Sequence, residues 1–308
     1  MIPRIDAAAL INPQHPDHQT AKDAARIGAT DVGFLTVYNT PISPDSVSHV
    51  IELYRAFFHL PSAQKETYDM SKTGSNRGWG GAQSEQVDPD ANPDYKQVFD
   101  CGVELDPDDP INKLKLPAYA PNIWPEVPEG FSKALQHYYR ETTDFALDLL
   151  CVVADAADAN GDYFRDKFSR PMALLRGNYY PERPAWATAK DFGIATHTDY
   201  GCLTLLATDG SPGLEVRKRG GGWTPVQAPI GEFVINFGEM LEFWTGGKIK
   251  ATPHRVLGPK HERISVPLFF NPNHDTVVSP DADAPVLAND HLQRRFDETY
   301  VHLQAKTA

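Results

Sequence analysis

Cysteine is scarce in this chain: Cys101, Cys151 and Cys202 are the only three among 308 residues, and no two stand in a CxxC spacing. So odd and sparse a set excludes a disulfide framework and suits a reducing cytosol. Positive charge is short as well. Twenty-nine Lys and Arg against 41 Asp and Glu leave a formal net charge of -12 and a pI near 5.3. An acidic surface repels phosphate backbones and anionic lipid, which argues against nucleic acid or a membrane as partner. Long apolar runs are missing too. No segment approaches the roughly 18 apolar residues of a membrane span, and the most apolar stretch, 145–157, is broken by Asp148 and Asp155. Met1 to Asp6 lacks the apolar run of a signal peptide. Repeats and low-complexity tracts are absent. A cytoplasmic location is expected; these features leave the oligomeric state open.

Apolar residues make up 41% of the chain, enough for a sizeable core. The first half reads as helices and loops. His18 to Gly28 is a short helix candidate, and Gly33 to Tyr38 a compact strand. Pro44 can start a helix whose apolar positions Val47, Val50, Ile51, Tyr54, Phe57 and Phe58 have helical spacing. Pro61 ends it. Residues 71–128 are dense in Gly and Pro without strong periodicity and read as a long ordered loop region, of the kind that forms lids and pocket walls. Gly130 to Ala157 carries a stripe of Phe131, Leu135, Tyr138, Thr142, Phe145, Leu149 and Val152, the mark of a core-facing helix. From Met172 the texture turns to short strands split by Gly and Pro turns: 172–180, 202–207, 213–216, 232–237 and 264–270. This spacing predicts a β-sandwich or jelly roll. After Pro285 a polar helical tail follows. The expected fold class is mainly β with flanking helices (α+β).

Two short clusters stand out, His197-Thr198-Asp199 and Pro253-His254-Arg255-Val256, whose metal-binding residues Asp199 and His254 lie 55 positions apart. His197 and Asp199 at i, i+2 share one strand face, so their donor atoms can converge. Two imidazoles and one carboxylate accept Fe(II), Zn(II), Mn(II), Co(II) or Ni(II). With open positions on the far side, the triad suits non-haem iron and oxygen chemistry; a zinc hydrolase remains a rival at this level. Nine residues after His254 comes Arg263-Ile264-Ser265-Val266-Pro267-Leu268-Phe269. Arg263, Ser265 and Phe269 share one face and Ile264, Val266, Leu268 and Phe270 the other. An inward arginine needs an anion. Arg263 with Ser265 can grip a carboxylate, or be tied in an internal salt bridge.

Six motifs in family order now carry a resemblance. Arg176-Gly177-Asn178-Tyr179-Tyr180-Pro181, the stretch His197 to Leu206, Gly213-Leu214-Glu215-Val216, Asn236-Phe237-Gly238-Glu239, Pro253 to Val256 and Arg263-Ile264-Ser265 resemble the isopenicillin-N-synthase-like branch of the Fe(II)/2-oxoglutarate-dependent dioxygenases. Ile2 to Asp6, Gly33-Phe34-Leu35 and Phe58 to Ser62 are similar to its N-terminal region. The resemblance implies a double-stranded β-helix, the distorted, cupin-like jelly roll, within a single catalytic domain over 1–308. An N-terminal helical and loop region (1–128) would precede a β-helix core (172–275). It implies Fe(II) on His197, Asp199 and His254. It implies 2-oxoglutarate as co-substrate on Arg263 and Ser265, with Asn178 and Tyr180 beside it, and O2. The implied reaction oxidises an unactivated C–H of a small molecule by hydroxylation, desaturation or cyclisation, releasing succinate and CO2. An Fe(II) oxidase of the same fold that needs no oxo acid is the alternative.

For the prime substrate, Arg77 is expected to bind a carboxylate, with Trp79 or Phe269 as an apolar wall. Tyr179 matches a position that faces the substrate in oxidase relatives. Lys96, in a family-like stretch with Tyr95 and Phe99, is expected to be structural.

Overall fold

The computed structural model describes residues 1–72, 75–88, 90–188, 191–279, 281 and 283–299. Its strands are β1 (Arg4–Asp6), β2 (Phe34–Tyr38), β3 (Gly78–Gly80), β4 (Gln97–Gly102), β5 (Leu174–Tyr180), β6 (Ile194–His197), β7 (Leu203–Thr208), β8 (Leu214–Arg217), β9 (Trp223–Pro225), β10 (Phe233–Phe237), β11 (His254–Val256) and β12 (Arg263–Phe270). Eight of them form a large sheet in the order β1-β2-β10-β7-β12-β5-β4-β3, and four a small one in the order β6-β11-β8-β9. Every pairing is antiparallel except β1 on β2. The two sheets are the walls of a double-stranded β-helix with flanking helices.

Strand parity divides the core. On β12, Ile264, Val266, Leu268 and Phe270 are fully buried on the helix side of the large sheet. They join the helices Pro44–Phe58 and Phe131–Ala156 in one apolar cluster. The first of these helices starts with Pro44 at its first position, capped by Ser43, whose hydroxyl accepts from Ser46 N at 3.0 Å. That is a favourable start, the cap being worth about 1 kcal/mol. The opposite face of the sheet looks into the barrel. There Phe34, Tyr180 and Val234 meet Leu214, Val216 and Val256 of the small sheet.

Residues 71–128 depart from the loop expected of them, because β3 and β4 lie within and extend the large sheet beyond β5. Glycines mask β3. A buried acid, Asp100, breaks the apolar pattern of β4 and is tolerated because its register partner on β5 is Arg176. The tail after Pro285 contributes the helix Ala288–Thr299. Among the described residues no helix is long and apolar enough to cross a membrane.

At Gly177 on β5 the helix layer lies close against the sheet. A Cβ there would stand 2.3 Å from the ring of Tyr54, itself buried on the helix Pro44–Phe58. Gly177→Ala is expected to destabilise the fold by about 1–3 kcal/mol through overpacking. Thermal or urea unfolding checks this, and an unchanged midpoint contradicts the packing described.

Candidate metal centre and the chamber beside it

His254 on β11 pairs in register with His197 at the end of β6. This antiparallel pairing is what brings two residues 57 positions apart side by side. Their rings lie 4.3 Å apart between centroids, and Phe34 packs edge-on against His254. Asp199 follows two residues after His197. Its Oδ1 stands 3.6 Å from the Nε2 of each imidazole. The ligand atoms of the three residues lie within 4.8 Å of one another, the one such group among the described residues.

Each side chain is held by its other polar atom. Nδ1 of His197 donates to Ala195 O at 2.8 Å, and Nδ1 of His254 to Thr252 O at 3.2 Å. Both Nε2 atoms are thereby left with a lone pair facing inward. Asp199 Oδ2 accepts from Asn236 Nδ2 at 2.7 Å and from the Thr204 hydroxyl. Thr204 on β7 and Asn236 on β10 are themselves register partners. Asp199 is buried, but the two imidazoles hold its carboxyl well below the usual carboxylate range. Burial, joined by the neighbouring His197, lowers His254 to about 4. For His197, burial is outweighed by Asp199 and the group is raised. An ionised carboxylate, a neutral imidazole, and an imidazole that attracts positive charge make a donor set that fits a divalent cation.

Arg263, at the start of β12, points into the barrel and is 1% exposed. Its register partner Tyr180 places a ring 5.0 Å beneath the guanidinium. One long contact, Nε to Ser211 O at 3.4 Å, is its hydrogen bond, and Nη1 has none. Among the described residues no carboxylate pairs with Arg263, so the internal salt bridge is not found. Ser265 and Asn178 are neighbours across β12 and β5, 3.4 Å apart between Oγ and Nδ2, and Asn178 Oδ1 is likewise buried without a partner. Such a cluster fits an anion that reaches the metal from inside the barrel.

Against the triad lies a cavity of about 140 Å³, which Asn178 also lines. His197, Asp199, Arg176, Glu85, Phe269 and Phe296 are among the residues that line it. Its floor is a buried charge network. Arg176 grips Asp100 with two bonds of 2.7 and 2.6 Å and meets Glu85 at 2.9 Å. Lys96 bridges Glu85 at 2.7 Å and Asp94 at 2.9 Å. Against the cost of burial, Arg176 and Lys96 hold Glu85 down at about 2. Asp94 also accepts from Ala195 N at 3.1 Å, the residue whose carbonyl orients His197.

Of the substrate-facing residues expected from sequence, Phe269 and Arg77 line the cavity. Trp79 and Tyr179 do not, and strand parity is the reason. Trp79 is paired with Phe99 on the helix-facing side and donates from Nε1 to Gln97. Tyr179 stacks on Phe58, and its hydroxyl donates to Glu262 at 3.3 Å. On β5 the inward residues are Arg176, Asn178 and Tyr180, so Tyr179 must face out. Thr204 and Asn236 were missed as ligand supports. Their signal was a single polar residue in the interior of each apolar run, Thr204 within 203–207 and Asn236 within Phe233–Phe237.

The comparisons with known proteins agree with this geometry. A family model for the non-haem dioxygenase in morphine synthesis N-terminal region matches residues 2–127. The 2OG-Fe(II) oxygenase superfamily model matches 171–272. A 2-oxoglutarate-Fe(II) type oxidoreductase of Aspergillus fumigatus is 31% identical over 80% of this chain and 74% of its own length. The homoarginine-6-hydroxylase of Arabidopsis thaliana is 32% identical over 81% of this chain and 76% of its own. The crystal structure of a full-length Neurospora crassa protein in complex with α-KG and thymine superposes with a TM-score of 0.82 at 25% identity, covering 96% of this chain and 97% of that one. These likenesses do not favour the oxidase that dispenses with an oxo acid. The chain belongs to the isopenicillin-N-synthase-like family of Fe(II)/2-oxoglutarate-dependent dioxygenases, oxidoreductases that use Fe(II), 2-oxoglutarate and O2 to oxidise small molecules.

Proposed function

We propose that His197 Nε2, His254 Nε2 and Asp199 Oδ1 hold the ferrous ion on one face. Arg263 and Ser265 take the distal carboxylate of 2-oxoglutarate, with Asn178 and Tyr180 beside it. The prime substrate then occupies the cavity on the other side, against Phe269. One observation carries this reading: the three convergent donor atoms are free while the other polar atom of each ligand is tied down. When bound, the iron and its co-substrates supply oxidative decarboxylation to succinate and CO2 together with oxidation of a C–H bond. The chain's own residues bind, orient and exclude water. The Ala195 and Thr252 carbonyls fix which imidazole nitrogen faces the metal. Thr204 and Asn236 keep the second carboxylate oxygen of Asp199 from turning inward. Tyr180 and the apolar seam around it keep water from the Arg263 guanidinium, which strengthens its hold on an anion.

We further read 1–308 as one catalytic domain, with 1–128 as the family's N-terminal region and 172–275 as the β-helix core. The three unpaired cysteines and the net charge of -12 support a cytosolic enzyme without nucleic-acid or membrane partners.

Two experiments test the assignment. Asn236→Leu removes a donor to Asp199 and is expected to weaken Fe(II) or Co(II) binding by about 10- to 100-fold. Metal titration measures it; wild-type affinity contradicts the supporting role. Arg263→Gln is expected to raise the 2-oxoglutarate KM by roughly 10- to 100-fold, the loss of about 1.5–3 kcal/mol from a charge-assisted bond, while metal affinity stays. Succinate assays against 2-oxoglutarate concentration decide it, and an unchanged KM places the co-substrate elsewhere.

A further inference from the structure

The charges that line the substrate cavity are already matched to one another. Lys96 and Arg176 are each engaged by buried carboxylates, Lys96 with Glu85 and Asp94 and Arg176 with Asp100 and Glu85. Arg77, the residue expected to bind a substrate carboxylate, is 2% exposed. It donates instead to the carbonyl oxygens of Asn76 at 2.8 Å and Ala118 at 2.6 Å. Lys96 and Arg176 therefore stand with three buried carboxylates, Glu85, Asp94 and Asp100, while Arg77 rests on carbonyl oxygens. A substrate carboxylate placed here would have to pull Lys96 or Arg176 out of a buried pair, and leave a carboxylate behind it uncompensated. A substrate ammonium would compete with the same two cations for Glu85. Arg263, the buried arginine with an orphaned Nη1, lies outside the residues that line this cavity.

Besides Asn178, whose Oδ1 is buried without a partner, a second amide stands open on the cavity wall. Asn76 is 9% exposed and lines the cavity, and its side chain makes no hydrogen bond among the described residues. An amide on a cavity wall that no protein group engages is open to a ligand that supplies its hydrogen bonds. It both donates and accepts, so it pairs with a carbonyl, an amide or a hydroxyl. Around it Met172, Leu174, Phe269 and Phe296 give apolar walls. The cavity volume of about 140 Å³ is close to that of an engineered cavity of about 150 Å³ that takes up benzene.

We propose that the prime substrate is a small, uncharged molecule of about single-ring size, whose amide, carbonyl or hydroxyl group is read by the Asn76 side chain. This rests on the reading above of which side of the metal centre receives the substrate. It makes Asn76 a specificity-determining residue: a site built to hydrogen-bond a neutral group discriminates strongly against molecules that leave its amide unpaired.

The test uses the full chain loaded anaerobically with Fe(II) and 2-oxoglutarate, and three probes of one shape: p-toluamide, p-toluate and 4-methylbenzylamine. Binding is read from the change each causes in the visible absorption of the ferrous 2-oxoglutarate complex. The expected result is that p-toluamide binds at least ten-fold tighter than either charged probe. Asn76→Ala should reduce that preference to less than about three-fold, and Asn76→Asp should shift it toward the amine. A charged probe that binds as tightly as the amide, or no response to any of the three, overturns the inference. So does an Asn76→Ala protein that keeps the full preference. Should the variants fail to fold, the wild-type ranking alone decides. Absence of the ferrous 2-oxoglutarate absorption before any probe is added counts against the site assignment itself.

Discussion

The site depends on one carboxylate with two differently occupied oxygens. Asp199 sits just beyond the small sheet, and its Oδ2 is anchored by Thr204 and Asn236 of the large sheet. Its Oδ1 is turned toward His197 and His254. The two walls of the barrel are thus tied together at the point where the metal belongs. That anchoring has a cost in burial, which the surrounding donors offset. It also sets geometry, because neither oxygen of Asp199 can rotate without giving up a buried hydrogen bond.

Buried charge is used in two opposite ways around this point. Glu85, Asp94, Lys96, Asp100 and Arg176 satisfy one another, and through Asp94 and Ala195 they fix the strand that carries His197. Breaking one partner of such a network leaves an uncompensated charge and costs about 3–5 kcal/mol. The network therefore acts as a rigid floor. Arg263 is the reverse case. It is as deeply buried, yet lacks a carboxylate among the described residues. A protein tolerates that arrangement where a ligand anion completes it. The contrast separates the scaffold from the binding group more clearly than burial alone does.

Much of this was legible in the sequence because the site is built from local pairs on strands. His197 with Asp199 and Arg263 with Ser265 are i, i+2 pairs, and a period of two puts each pair on one face. The stripe of the helix Phe131–Ala156 was equally plain, since helical periodicity needs no long-range information. What failed to show was set by partners far along the chain. Asp100 looks like a loop acid until Arg176 is placed beside it, which is why β4 was hidden in 71–128. Trp79 and Tyr179 sit next to inward-facing residues, and a shift of one position reverses the face. Asn76 has no motif at all; only its open amide on the cavity wall marks it.

The most direct test of the central claim is a crystal structure of the full chain prepared anaerobically with Fe(II) and 2-oxoglutarate. The account predicts one ferrous ion bound by Nε2 of His197, Nε2 of His254 and Oδ1 of Asp199, with the far carboxylate of 2-oxoglutarate on Arg263 and Ser265. An ion bound elsewhere, or a 2-oxoglutarate whose far carboxylate avoids the Arg263 guanidinium, would contradict it.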